Sequence, residues 1–375
     1  MDNLTHTLFA VTLGRTPLGR AGRGTTTALV LASNAPDIDI IATVRGGASY
    51  LRWHRGPTHG PIGLVVLSAL TAAIVWGIQR YGDRRTDPPD EAPSASFGML
   101  WVVSALGILC HILMDYPTSY GTRLLSPFDW HWFAADLMPI VDVYLVAALF
   151  AGLLFGQTSE ASRRRNAAIV LVLMAANYGV RAVARHEAVA LAPRVFGPLM
   201  PQPCDPGRVD HPLLVHWPRE QDRTLPATMS GGASRCLADL AAMPTFLSPF
   251  KWRLIARLSN AYELHDVDIL DARLHRPAEA GDAPWRVTVR YPDQWTPTVQ
   301  TAAAAPMAQT FLGFSRFPAA RWVIDQRTGV VTVRWTDMRF AGGMALDQRV
   351  VRGNIFGATV RLAPNGAVLA EQLGQ

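Results

Sequence analysis

Histidines and aspartates recur in this chain where apolar residues would be expected. His111 and Asp115 lie four apart in an apolar run, so on a helix they project from one face about a turn apart. That spacing suits two ligands of one metal ion. Asp37 and Asp39 follow Pro36, which disfavours continued helix. A turn or cap accounts for one of them, but two unpaired carboxylates at the end of a membrane segment are costly. His54 and His59 bracket Gly56-Pro57 and therefore sit on a loop. Thr58 can cap the apolar run that follows, turning His59 towards the mouth of the bundle. His6 lies near the start, and Asp136 and Asp142 precede a further apolar run. Imidazole and carboxylate are the donors that zinc, manganese and magnesium take. The expected ligands are His6, Asp37, Asp39, His54, His59, His111, Asp115 and Asp142, enough for one or two ions, with zinc first. Asp37, Asp39 and His59 are the candidate catalytic groups. Such a site generates hydroxide near neutral pH or polarises a phosphoryl or carbonyl oxygen, with an aspartate as general base.

The elements that must position these residues are helices long enough to cross a bilayer, which takes about 20 mostly apolar residues. Spans are expected at 61–80, 97–116, 138–156 and 166–184, with a shorter fifth at 25–44. The run 4–13 is too short to cross and is expected to pack as a short or re-entrant helix. It lacks a basic start and contains His6, so a cleavable signal peptide is not expected. Three basic loops (Arg15, Arg20 and Arg23; Arg80, Arg84 and Arg85; Arg163, Arg164 and Arg165) fall on one face if the chain alternates sides. Positive-inside bias makes that face cytoplasmic, although Arg45, Arg52, Arg55 and Arg123 on the other side moderate it. The ends bearing His6, Asp37, His59, His111, Asp115 and Asp142 then share the outer face. Chance would scatter them over both.

The fold class expected is an N-terminal all-α transmembrane helical bundle, 1–186, followed by a smaller β-rich soluble domain. Prolines 193, 198, 201, 203 and 206 mark a linker over 187–206. In 207–375, strand-like alternation appears at Trp252–Leu258, Trp285–Tyr291, Trp322–Asp325 and Val330–Trp335, suggesting a small sandwich. Arg327-Thr328-Gly329 reads as the turn of a hairpin. An odd number of crossings would put this domain outside, where Cys204 and Cys236 could pair or remain two free thiols. Cys110, inside an apolar run, is expected to be inert.

The net charge of +6 is carried by arginine, with Lys251 the one lysine among 375 residues, and charged residues make up only 17% of the chain. These arginines sit largely in short loops between apolar runs, so the basic balance reflects membrane topology and no nucleic-acid partner is expected. No CxxC pair, Walker A loop, Gly-x-Ser-x-Gly or Gly-x-Gly-x-x-Gly before a helix is present. The expected partners are the lipid bilayer and a small-molecule or lipid-derived substrate. The reading is a membrane-bound metal-dependent hydrolase acting on a phosphoester or lipid-derived substrate. The alternative is a membrane-anchored binding or regulatory protein with a structural metal site. Transport is disfavoured because the ionisable residues crowd one end of the bundle rather than its middle.

Thr5-His6, Pro36-Asp37-Ile38-Asp39, His54-Arg55-Gly56-Pro57-Thr58-His59 and His111-Ile112-Leu113-Met114-Asp115 resemble the motifs of the YdjM/YfhP-like family of predicted inner-membrane metal-dependent hydrolases. That family favours serine after the third motif; Gly60 stands here, a departure expected to be minor. Leu247-Ser248-Pro249-Phe250-Lys251-Trp252-Arg253 and Arg316-Phe317-Pro318 look like the C-terminal extension of the YfhP-like members. The resemblance implies a bacterial inner (plasma) membrane protein and the hydrolase class. A looser similarity is to zinc-dependent phospholipase C and related nucleases, which are all-helical. It implies His6, Asp37, His59, His111 and Asp115 as ligands.

Overall fold

The computed structural model describes residues 1–85, 93–156, 158–195, 203–204, 215–217, 236–274, 288–341 and 356–374. The chain divides into two compact units: Met1–Ile41 with Arg55–Val183, and Ala42–His54 with Ala184–Gln375.

The first unit is helical. Asp2 caps α1 (Asn3–Gly14), its carboxylate accepting the Thr5 N–H at 3.0 Å. A 3₁₀ turn (Pro17–Arg20) leads to α2 (Thr25–Ala32), and a second 3₁₀ segment, Ala35–Arg45, continues it past Pro36. Next comes α3 (Gly47–Trp53), which belongs to the second unit. Then α4 (Pro61–Asp83) opens on a proline at its first turn, where a missing N–H costs nothing. Ser96 caps α5 (Phe97–Asp115), and a short strand β1 (Trp132–Ala134) follows. Asp142 caps α6 (Val143–Leu154), and α7 (Glu160–Ala190) completes the bundle.

Among the described residues, four segments are long and apolar enough to cross a membrane: Thr25–Arg45, Pro61–Asp83, Phe97–Asp115 and Glu160–Ala190. The expected span at 138–156 is reduced to the 12 residues of α6. At 1.5 Å per residue these cover only about 18 Å of an apolar core about 30 Å thick. Residues 138–142 lie before the helix, with Asp142 in extended backbone as its N-cap. In contrast, α7 outruns its apolar stretch at both ends, since Arg163, Arg164 and Arg165 are good helix formers and join its first turns.

Ion pairs gather the basic segments at one end of this unit. Arg20 Nη2 lies 2.7 Å from Glu160 Oε1 at the start of α7. Arg23 pairs with Asp83 at the end of α4. Arg15 Nη1 donates to the carbonyls of Gly152 and Leu153 at 3.3 and 3.2 Å, capping the C-terminus of α6. The other end of α6 begins at its cap, Asp142.

The second unit is β-rich. After a short α8 (Ala192–Val195) and strand β2 (Val215–Trp217) come β3 (Leu237–Pro244), β4 (Lys251–Leu258), β5 (Ala261–Asp268), a helical turn α9 (Ile269–Leu274) and β6 (Thr288–Pro292). β3 to β6 form an antiparallel meander in chain order. β4 shows why alternation worked. Trp252, Leu254, Ala256 and Leu258 share one core cluster with Ala184 and Ala188 of α7, whereas Ile255 joins a different one. Arg253 faces Asp266 in register across β4 and β5, binding both carboxylate oxygens at 2.6 and 2.8 Å. Two helices the alternation did not predict, α10 (Pro297–Ala303) and α11 (Pro306–Phe314), cover a second meander of β7 (Pro318–Ile324), β8 (Val331–Asp337), β9 (Gly357–Leu362) and β10 (Val368–Leu373). The predicted hairpin joins β7 to β8, with Gly329 at φ +68 and its N–H donating to the Asp325 carbonyl at 2.8 Å. The two meanders share a cluster containing Ile255, Tyr262, Leu264, Phe317 and Ala319. The expected strand Trp285–Tyr291 is observed from Thr288; residues 285–287 lie outside the described residues. The linker reading 187–206 falls partly on helix, since α7 runs to Ala190 and α8 to Val195; residues 196–202 and 205–206 lie outside the described residues. Cys204 and Cys236 form a disulfide, with Cα atoms 4.9 Å apart.

Candidate metal centre

The site begins with a close helix crossing. A side chain at Gly107 of α5 would meet Ala32 Cβ at 3.0 Å and the Leu29 carbonyl at 3.3 Å. Glycine there lets the end of α2 approach, and one turn later the His111 Nδ1–H donates to the Ser33 carbonyl at 2.7 Å. A carbonyl only accepts, so Nδ1 carries the proton and Nε2 presents a lone pair. Asn34 holds the same end of α2 against α1 through Thr7, at 3.0 Å.

Four side chains converge at that lone pair. Asp37, His59, His111 and Asp115 each offer one ligand atom, all within 4.8 Å of one another. His59 Nε2 lies 3.1 Å from His111 Nε2, 3.7 Å from Asp37 Oδ1 and 3.5 Å from Asp115 Oδ2. His111 Nε2 lies 3.6 Å from Asp37 Oδ1 and 3.6 Å from Asp115 Oδ2. Donors bound tetrahedrally at about 2.0–2.1 Å would stand roughly 3.3 Å apart. These five separations bracket that value, so the residues fit one small divalent ion. Asp115 is fully buried, and its two oxygens face only nitrogen groups: His59, His111 and Arg55 on Oδ2, and His6 and the Met1 amino group on Oδ1. His59, His111 and Asp115 are fully buried, and the Asp37 side chain is 18% exposed, so Asp37 marks the mouth.

The remaining expected ligands fall elsewhere. Asp39 accepts the Arg55 backbone N–H at 2.6 Å and lies 3.9 Å from His59 Nδ1, where it steadies the loop and the ring. His6 is outside the group of four but touches it: its ring stacks on His111 at 3.9 Å and its Nε2 is 3.4 Å from Asp115 Oδ1. His54 ends α3 in the other unit, with its ring against Tyr50 at 4.4 Å. The chain turns sharply at Arg55, φ +50, which separates it from His59. Asp142 caps α6 through the Leu145 N–H at 2.8 Å and pairs with Arg181, both side chains fully buried. Its charge is already spent.

Sequence reading missed Arg55, treated above as a loop charge. It is buried, with Nη2 3.0 Å from Asp115 Oδ2 and Nη1 donating to the Gly121 carbonyl at 2.9 Å. The Met1 amino group also lies against Asp115. The available signal was the position of Arg55 between His54 and His59 in one motif. Gly60 is also more than a minor departure. A Cβ there would lie 1.8 Å from the Ser126 carbonyl oxygen, so a serine at 60 requires that backbone to move.

Residues 1–188 match the family model described as YdjM inner membrane protein. The chain belongs to the YdjM family. This YdjM-family chain is also 27% identical over 161 residues to the uncharacterized protein YfhP of Bacillus subtilis (strain 168), covering 41% of this chain. The match spans 45% of that relative's length. No solved structure matches the chain.

Proposed function

We propose that this YdjM-family protein is a membrane-bound metal-dependent hydrolase whose substrate is a phosphoester with an apolar, lipid-derived part. The observation that carries the reading is the convergence of Asp37, His59, His111 and Asp115 at tetrahedral spacing within an apolar bundle. A bound zinc ion, or manganese or magnesium in its place, would supply a Lewis acid and a water acidified to a pKa of about 7. His59, His111 and Asp115 would hold the ion from inside and Asp37 from the mouth, with Arg55 compensating the Asp115 charge. Asp39, and the oxygen of Asp37 not offered to the ion, on the 3₁₀ segment at the mouth, are the carboxylate groups assigned to receive the proton. Ile38, Ile40 and Ile41 on that segment are exposed, which supports entry of an amphipathic substrate.

The site and the β-rich unit are assigned to the non-cytoplasmic side. The gathering of Arg15, Arg20, Arg23 and the start of α7 at the opposite end supports this. The Cys204–Cys236 disulfide supports it independently, since such bonds persist in oxidising compartments.

One observation favours a second reading. Four protein donors complete a tetrahedral zinc shell, the arrangement of a structural site, whereas catalytic sites keep a position open. On that reading the protein is a membrane-anchored binding or regulatory protein. The test measures metal in detergent-purified protein and hydrolysis of bis-p-nitrophenyl phosphate and phosphatidic acid vesicles. The hydrolase reading expects at least one equivalent of metal, with metal and activity both lost in His59→Ala and Asp115→Ala. Full metal loading with no hydrolysis of either probe moves the assignment to the second reading. Metal-free wild type removes the metal centre.

A further inference from the structure

We infer that the turn between β3 and β4 is a lipid anchor, lying in the headgroup layer of the membrane that the helical unit crosses, and that the loop after α5 is its counterpart. The observation is a duplicated motif. Leu125-Ser126-Pro127-Phe128-Asp129-Trp130 follows α5, and Leu247-Ser248-Pro249-Phe250-Lys251-Trp252 joins β3 to β4. The two copies share Leu-Ser-Pro-Phe-x-Trp but belong to different units. Both are turns that hold large apolar side chains outward. In the first, the Phe128 and Asp129 N–H groups both donate to the Leu125 carbonyl at 3.0 Å, and Phe128 is 73% exposed with Leu125 exposed beside it. In the second, the Thr245 hydroxyl donates to the Ser248 carbonyl at 3.0 Å, and Leu247 is 68% exposed with Phe246 exposed beside it.

Each turn is fastened to a membrane-crossing helix. Leu124, just before the first motif, packs on the cluster of Ala32, Ile108 and Ile112 together with Leu64 of α4. The Ser126 carbonyl abuts Gly60 at the head of the same helix. Trp252, closing the second motif, donates from Nε1 to the Pro249 carbonyl at 2.9 Å and is buried in one cluster with Ala184 and Ala188 of α7. The two attachment heights agree. Asp83 ends α4 and Glu160 starts α7, and they pair with Arg23 and Arg20 at the basic end of the bundle. At about 1.5 Å per residue, α4 covers about 33 Å between Asp83 and Pro61, and α7 about 36 Å between Glu160 and Ala184. Either length crosses an apolar core about 30 Å thick, so both turns begin in the interfacial layer beyond it. That layer accepts aromatic and aliphatic side chains at its apolar boundary. In water the same four side chains would remain exposed apolar surface, the mark of a contact site. A protein partner would have to cover turns on two units, whereas one bilayer surface reaches both.

The experiment places the environment-sensitive fluorophore NBD on single cysteines in full-length protein carrying Cys110→Ala, with the Cys204–Cys236 disulfide intact. The sites are Phe128→Cys, Leu247→Cys and, as a control, Val323→Cys at an exposed position of β7. Each is read in nanodiscs of phosphatidylcholine and phosphatidylglycerol with ordinary or brominated acyl chains, and circular dichroism checks the fold. Blue-shifted emission that brominated lipid lowers roughly twofold is expected at positions 128 and 247, with water-like, unquenched emission at 323. Quenching at 128 with water-like emission at 247 overturns the anchor in the β-rich unit. Blue-shifted emission at 247 that brominated lipid leaves unchanged shows protein over the turn, a second copy included, and overturns the lipid assignment. Water-like emission at both turns, or equal quenching at 323, overturns the inference altogether. Should Leu247→Cys fail to fold, Phe246→Cys on the same turn is read in the same way.

Discussion

Removing the Asp142 carboxylate is expected to unfold the bundle while leaving the metal centre loaded in whatever protein remains folded. Asp142 and Arg181 are fully buried and paired through Oδ2 and Nη2. Breaking a buried pair from one side strands the other charge, at a cost of about 3–5 kcal/mol. Asp142→Ala also deletes the cap that accepts the Leu145 N–H at 2.8 Å, adding about 1 kcal/mol. Asp142→Asn keeps an oxygen for that cap and should therefore be the milder of the two by about that amount. Combining Asp142→Asn with Arg181→Met removes both charges and should recover most of the loss, because replacing a whole buried pair is often near neutral. The assay is reversible unfolding in mixed micelles, with metal content measured on each variant. Loss of bound metal in Asp142→Asn at unchanged stability would refute the reasoning and return Asp142 to the ligand set.

Gly60→Ala is expected to destabilise by roughly 1–3 kcal/mol and to lower metal affinity, because the new Cβ must push aside the Ser126 carbonyl next to His59. A thermal midpoint and zinc affinity equal to wild type would show that this backbone yields freely. In the β-rich unit, burial pushes the Asp337 carboxyl up, but Arg339 beside it and the Ser315 hydroxyl, donating at 2.7 Å, outweigh burial and hold it below the ordinary carboxylate range. A folded-state pKa below the unfolded value of about 3.9 stabilises above that pH, and the contribution is lost as pH falls through the folded value. The stability gap between wild type and Asp337→Asn, followed by denaturant titration, should therefore narrow below about pH 4; a gap independent of pH would contradict the pairing.

What the sequence discloses about this site depends on how each residue is constrained. His111 and Asp115 could be paired from spacing alone, because helix geometry leaves residues four apart on one face. Asp37 and His59 could be brought to the same end by counting crossings, but their convergence on one point depends on Gly107 admitting α2 and on the turn at Arg55, which no periodicity reports. The strands of the β-rich unit were legible where one face is buried, as in β4. The helices α10 and α11 carry their own signals, a Thr296 cap and prolines at the first turns, which strand-seeking alternation passes over. The errors were in charge accounting. Arg55 enters the sequence reading as an outward loop charge, yet it is buried against Asp115. Asp142 was treated as a ligand because it resembles one, yet Arg181 lies in an apolar run expected to cross the membrane. An arginine at such a depth is too costly to stand without a partner. The nearest carboxylate at the head of the preceding helix is Asp142, and that requirement, readable in the sequence, already withdraws it from the metal.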